Sequence, residues 1–161
     1  MRYTLLALGI MLIISCNNQA DKEQVSEDTG IVTEEIILSP EEKLLWITDY
    51  DTVTGDFFLR QQRVVPAEEL SPEQVIADIN AAWEDIRMEL RRISNDTIYV
   101  VIPQADHLTQ QMGSAGATSY LAAATYSLTE LKAIRYVNYD FEEGSHLSPG
   151  TYSREDFKNF H

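Results

Sequence analysis

The run Thr97-Ile98-Tyr99-Val100-Val101-Ile102 is apolar at odd and even positions alike, and Pro103 closes it. Successive side chains of a strand point to opposite faces, so a segment apolar on both faces is covered on both and lies inside a sheet. Pro103 lacks the N–H that a ladder needs and ends the strand. A central strand requires a neighbour at each edge and a layer of helix against it. The rest of the sequence has to supply these.

Residues 44–47 (Leu-Leu-Trp-Ile) read as a strand leading into the turn-rich stretch 48–56. Residues 57–65 read as a second strand ended by Pro66, and the pair forms a hairpin across Asp51-Thr52-Val53-Thr54-Gly55. Upstream, Ser39-Pro40-Glu41-Glu42 carries the residues that cap a short helical turn. Ser71-Pro72-Glu73-Gln74 combines an N-cap serine, a proline at the first helical position and a capping-box glutamine. Val75, Ile79, Ala82/Trp83, Ile86, Leu90 and Ile93 then recur on one helical face. The spacing predicts a helix as far as Ile93, with Arg91 and Arg92 in its last turn and Ser94-Asn95-Asp96 as its break. A second helix is expected over residues 117–132, with Leu121, Ala124/Thr125, Leu128 and Leu131 on one side. Its alanines, Ala122 to Ala124, allow close approach to a sheet. Residues 134–141 form the next strand, Glu142-Glu143-Gly144 a turn, and residues 147–160 a last short strand or an edge cover. The expected fold class is α/β, an α+β two-layer sandwich with a mixed sheet of about four to five strands packed against two helices.

Residues 5–14 are apolar, preceded by Arg2 and followed by Ser15 and the only cysteine, Cys16. A basic residue, an apolar stretch of about ten residues and a small residue at the cut are the layout of a secretory signal peptide. The stretch is well short of the roughly 20 residues that span a bilayer. Ile13-Ile14-Ser15-Cys16 resembles a bacterial lipobox, with Ile13 where leucine is usual. The resemblance implies cleavage after residues 1–15, lipidation of the Cys16 thiol, and an address in the cell envelope. The protein would be a membrane-anchored lipoprotein on the periplasmic side of the outer membrane or at the cell surface. A lipidated Cys16 leaves no thiol for a disulfide, redox chemistry or metal ligation, so the fold must hold by packing alone. Residues 17–35 are mostly Asn, Gln, Asp, Glu, Ser and Thr, a composition that cannot offset its ordering entropy. Residues 16–38 are therefore expected to be the lipidated cysteine and a disordered acidic tether, and residues 39–161 the folded domain.

With 26 acidic against 12 basic residues the formal charge is −14. Nucleic acids and anionic headgroups bind through Lys and Arg, so nucleic acid is not an expected partner.

Few residues suggest reaction chemistry. Gly113-Ser114-Ala115-Gly116 lacks one spacer of the Gly-x-Ser-x-Gly elbow. His107 and His146 are the candidate bases, yet nothing in their spacing places them near Ser114. The segment is expected to be a flexible loop with Ser114 or Thr118 near the N-cap of the second helix. Asp49, Asp51 and Asp56 cluster in sequence, but an EF-hand counted from Asp49 would need glycine and glutamate where Thr54 and Arg60 stand. At most a loose surface ion site remains. The histidines have no zinc spacing, and no metal or cofactor is expected. Glu142 and Glu143 are adjacent and in a strand face opposite ways. Tyr136 and Tyr139 also face opposite ways in a regular strand, which makes them candidate interface residues.

Three stretches resemble the GerMN-type domain, first described in spore-germination and sporulation proteins. The first is Trp46 to Asp51, then Gly55-Asp56-Phe57-Phe58-Leu59 and Gln62-Arg63-Val64-Val65-Pro66. The second is the helix after Ser71-Pro72. The third is Ser127-Leu128-Thr129-Glu130-Leu131 running into Ile134-Arg135-Tyr136-Val137-Asn138-Tyr139. Ser127 stands where the family has threonine, Glu142-Glu143-Gly144 where it has Asp-Gly, and its Leu-x-x-Gly-Pro after the first helix is missing. The resemblance, over about residues 44–147, implies a small α/β domain for envelope assembly or protein contact and no catalytic residues. The expected function is that of a lipid-anchored, non-catalytic interaction or assembly module, with another envelope protein or a second copy as partner. The alternatives are an envelope hydrolase using Ser114 and a lipoprotein that binds a small ligand or cation.

Overall fold

In the computed structural model, which describes residues 37–160, Thr97–Val101 is an inner strand. The order is β1 (Trp46–Tyr50), β2 (Phe57–Gln61), α1 (Pro72–Ala82), β3 (Glu89–Ser94), β4 (Thr97–Val101), α2 (Gly113–Leu128), β5 (Tyr136–Asp140) and β6 (Gly150–Tyr152). Short 3₁₀ turns cover Glu41–Lys43 and Arg154–Phe157, and a π-helical turn covers His107–Gln111. The signal segment and Cys16 lie outside the described residues.

The fold is α+β. β3, β4, β5 and β6 lie side by side in that order, with β4 antiparallel to β3 and parallel to β5. β1 and β2 form a separate antiparallel hairpin, Trp46 opposite Gln61 and Tyr50 opposite Phe57. The sheet is thus four strands plus a hairpin rather than one continuous layer. Ile98 and Val100 of β4 are buried, as are Val137 and Tyr139 of β5. Thr97 and Tyr99 lie on the other face, opposite Tyr136 and Asn138.

Leu44 and Leu45 are not strand residues. They are buried at the foot of the hairpin, where the Leu45 carbonyl accepts from the Gln62 N–H at 2.8 Å. Ser39 and Glu42 cap the turn before them reciprocally: the Ser39 N–H donates to Glu42 Oε2 at 2.8 Å and the Glu42 N–H to Ser39 Oγ at 3.4 Å.

The helix expected through Ile93 stops at Ala82. Its start is as read: Ser71 Oγ accepts from the Gln74 N–H at 3.2 Å, and Pro72 opens the first turn. At its end Trp83 leaves the helical region, and the Asn80 amide bonds the Met88 backbone twice, each time at 2.8 Å. That clasp reverses the chain, and Glu89–Ser94 returns as the edge strand β3. Asn95, at φ +55°, and Asp96 form the two-residue turn into β4. A positive φ in a tight hairpin turn suits asparagine, which tolerates it better than most residues.

The second helix begins at Gly113, not Ala117, and the expected flexible loop before it is helical. α2 is also buried on more than one side. Leu121, Ala122, Ala123, Ala124, Thr125 and Leu128 are all inaccessible to solvent. The hairpin, α1 and β5 all contact it. A helix apolar all round is an interior helix, and the alanines let its backbone approach each neighbour. After β6, Ser153 and Asp156 form a capping box, and buried Phe157 stacks on Tyr152 with ring centroids 5.9 Å apart. Among the described residues no helix is long and apolar enough to cross a membrane.

Candidate functional site

Ser114 lies in the first turn of α2, just after Gly113, whose φ of +71° favours glycine. The loop opposite is seated by Gly144. A Cβ there would stand 2.5 Å from Thr109 Cβ and 2.7 Å from the Thr109 carbonyl oxygen, so only glycine lets the loop lie on the π-helical turn. The His146 N–H donates to that carbonyl at 3.1 Å, and Ser145 Oγ donates to Gln110 Oε1 at 3.1 Å. His146 Nδ1 is thereby held 3.2 Å from Ser114 Oγ. The sequence spacing gave no reason to join these residues; the fold joins them. His107 stands apart, beside Trp83, Glu84 and Asp85.

The pair is one part of a nucleophilic site. A serine becomes reactive when its base is itself oriented by a third group. Among the described residues no carboxylate hydrogen-bonds the His146 ring, and Glu143, three residues away, accepts from Ser148 Oγ.

Asp49, Asp51 and Asp56 serve the hairpin. Asp51 Oδ1 accepts from the N–H groups of Val53 at 2.7 Å and Thr54 at 3.3 Å, an Asx turn. Asp49 pairs with Arg60 at 3.4 Å across the strands. Among the described residues no three His, Cys, Asp or Glu side chains come together as a metal cluster.

The two tyrosines part company as strand alternation requires. Tyr139 is 1% exposed and shares a 3.1 Å hydrogen bond with Thr125 Oγ1, so its ring serves the core and offers no surface to a partner. Tyr136 is 38% exposed. Beside it opens a cleft of about 330 Å³, lined by Thr129, Ile134, Arg135, Arg154 and Glu155 as well as Tyr136.

Neither arginine was singled out in the sequence. Arg135 Nε and Nη2 both donate to Asp96 Oδ2, at 2.9 and 2.6 Å. Those bonds hold the Asp96 carboxyl below the usual carboxylate range. Arg154 joins three elements. Its Nε donates to Thr129 Oγ1 at 2.8 Å, and its Nη2 donates to the Tyr126 carbonyl at 3.1 Å and to Glu130 Oε1 at 2.6 Å. The same Glu130 oxygen accepts from Trp46 Nε1 at 2.9 Å. The guanidinium carbon lies 4.8 Å from the Tyr126 ring centroid and 5.5 Å from that of Trp46, within cation–π range. The only sequence signal was scarcity: a basic residue in so acidic a chain is a candidate for a specific task.

A second cleft, of about 250 Å³, lies between the hairpin and the end of α1, walled by Ile47, Gln62 and Trp83.

No protein-family model matches the chain, and no curated protein matches it. Among solved structures the chain is similar to the tandem GerMN domains of the sporulation protein GerM from Bacillus subtilis, with 12% sequence identity and a TM-score of 0.45. The match covers 70% of this chain and 45% of that one, so this chain spans less than half of the other's length.

Proposed function

We propose that this chain is a lipid-anchored envelope protein whose folded domain is a non-catalytic interaction or assembly module. The observation that carries the reading is the position of the only cysteine, Cys16, directly after a short apolar run and Ser15. One acyl chain holds a protein only marginally, whereas a diacylglyceryl group on the thiol and an acyl chain on the new amino terminus make a lasting anchor. The acidic segment that follows gives reach. On the folded domain, exposed Tyr136 beside Arg135 and Arg154 supplies the residue types that dominate binding hot spots. The sequence motifs shared with GerMN-type domains agree with a role in assembly. The partner is another envelope protein or a second copy of this chain.

Phase partitioning in a detergent that clouds on warming tests the anchor. The wild-type protein is expected in the detergent phase and Cys16→Ala in the aqueous phase. Equal partitioning of the two would overturn the anchor.

A second reading, an envelope hydrolase using Ser114, has the 3.2 Å contact with His146 in its favour. A fluorophosphonate probe separates the two, because it labels only activated serines. With no group among the described residues orienting the His146 ring, the protein is expected to stay unlabelled. Labelling that Ser114→Ala abolishes would replace the leading reading.

A further inference from the structure

We infer that the cleft beside Tyr136 is a carboxylate-binding site, in which Arg135 and Arg154 take the anionic group and Tyr136 and Ile134 take an apolar body next to it. The site does not depend on where, or whether, the chain is anchored.

The argument starts from how the two guanidiniums are held. Each has five N–H donors in a rigid fork. Arg135 directs its Nε and Nη2 to Asp96, and Arg154 directs its Nε and Nη2 to Thr129, Tyr126 and Glu130. Among the described residues, Nη1 of each makes no hydrogen bond. The planes are therefore fixed by protein acceptors; Arg135 keeps its Nη1/Nη2 edge, Arg154 keeps only the N–H groups of Nη1, and both side chains line the same cleft. One pre-oriented donor edge, from Arg135, and a second fixed donor, Nη1 of Arg154, on side chains that line one cleft suit a planar acceptor with two oxygens, which is a carboxylate.

The remaining walls define what the carboxylate is attached to. Ile134 is almost fully buried and the Tyr136 ring is partly exposed, so an apolar or aromatic group lying there removes further surface from water. The volume of about 330 Å³ suits a single side chain or a small organic acid, not a long peptide. Glu155 also borders the cleft, so with Asp96 and Glu130 the neighbouring carboxylates outnumber the two guanidiniums. Binding is then set by directed hydrogen bonds and apolar contact more than by net charge, and its affinity is modest. Such a carboxylate can come from a free aromatic acid or from the carboxyl end of a polypeptide.

Titration of the full chain with N-acetylphenylalanine and with its amide, N-acetylphenylalaninamide, tests the site, read from the backbone amide shift of Tyr136. The acid should give a saturable shift at millimolar concentration, and the amide, equal in shape but uncharged, a shift at least about tenfold weaker in affinity. Arg135→Gln should weaken the acid by about tenfold or more. This side chain is 73% exposed, so its replacement leaves the core untouched. Phenylacetate separates the sources: tighter binding of N-acetylphenylalanine assigns a polypeptide end, and tighter binding of phenylacetate assigns a free acid. No saturable shift at Tyr136, equal binding of acid and amide, or unchanged affinity in Arg135→Gln would overturn the site.

Discussion

Leu121→Ala is expected to cost roughly 2–5 kcal/mol of folding stability, the range for emptying a well-packed leucine site. For a domain of this size the corresponding fall in Tm is on the order of 10 °C. Leu121 has 0% exposure and lies midway along α2, the helix that the hairpin, α1 and the sheet all touch. Its helical neighbours Ala122, Ala123 and Ala124 are already small and fully buried, so the backbone is already close to its partners and has little room to settle into a void. The cost should therefore fall in the upper part of the range, because cavities that cannot collapse cost most. Val64→Ala is the control: that side chain is 83% exposed, and its truncation should change stability by about 0.5 kcal/mol or less. Urea unfolding of the three proteins, with equal m-values, measures both. A loss under about 1 kcal/mol for Leu121→Ala would mean that α2 is not the packed centre of the domain.

How far the fold was legible is clearest in residues 71–96. The helix start was written in local chemistry, Ser71, Pro72 and Gln74, and the structure has it in place. Its end was not, because Trp83, Glu84 and Asp85 carry no glycine or proline stop, and the reversal depends on the Asn80 amide finding the Met88 backbone in space. Leu90 and Ile93 then mimicked a helix for a structural reason. In a regular strand two residues three apart face opposite ways. Here the register shifts between Leu90 and Arg92, so Leu90 pairs with Val100 and Ile93 with Ile98, two buried residues of one face, although Ile93 itself, on the edge strand, stays 45% exposed. A β-bulge thus reproduced the i, i+3 spacing of a helix. The doubly apolar strand, the hairpin, and the opposite faces of Tyr136 and Tyr139 were readable because each rests on alternation within a few residues. The approach of Ser114 to His146 was not, since it spans 32 positions and depends on Gly144 letting one loop lie against a π-helical turn. The cleft of Arg135 and Arg154 joins the start of β5 to the tail, and no local pattern announces such a meeting.

Raising the pH past about 10 is expected to unfold the domain cooperatively, and two buried tyrosines are the reason. Burial pushes the phenol pKa of Tyr120 well above its ordinary value, and burial does the same for Tyr139, opposed in part by the hydrogen bond it shares with Thr125. In the unfolded chain both phenols ionise near 10. The folded state therefore holds these protons to higher pH than the unfolded state does. Stability from this source is intact below about pH 10 and falls as pH rises above it, by roughly 1.4 kcal/mol per pH unit for each tyrosine. Both together remove several kcal/mol by about pH 12, a large share of the 5–15 kcal/mol that domains typically possess. Tyrosinate absorbance from the buried pair should then appear only together with loss of the far-ultraviolet dichroism. The two phenols differ in a way that sharpens the test. Tyr139 shares a hydrogen bond with Thr125, whereas the Tyr120 hydroxyl is buried with no partner among the described residues. Tyr120→Phe should consequently leave stability at pH 7 unchanged or higher, since it removes an unsatisfied polar group. It should also make stability fall less steeply with pH above 10. Tyr139→Phe should flatten the same slope while lowering stability at pH 7 by about 1 kcal/mol. Ionisation of all the tyrosines near pH 10 in the folded protein would contradict the burial on which both expectations rest.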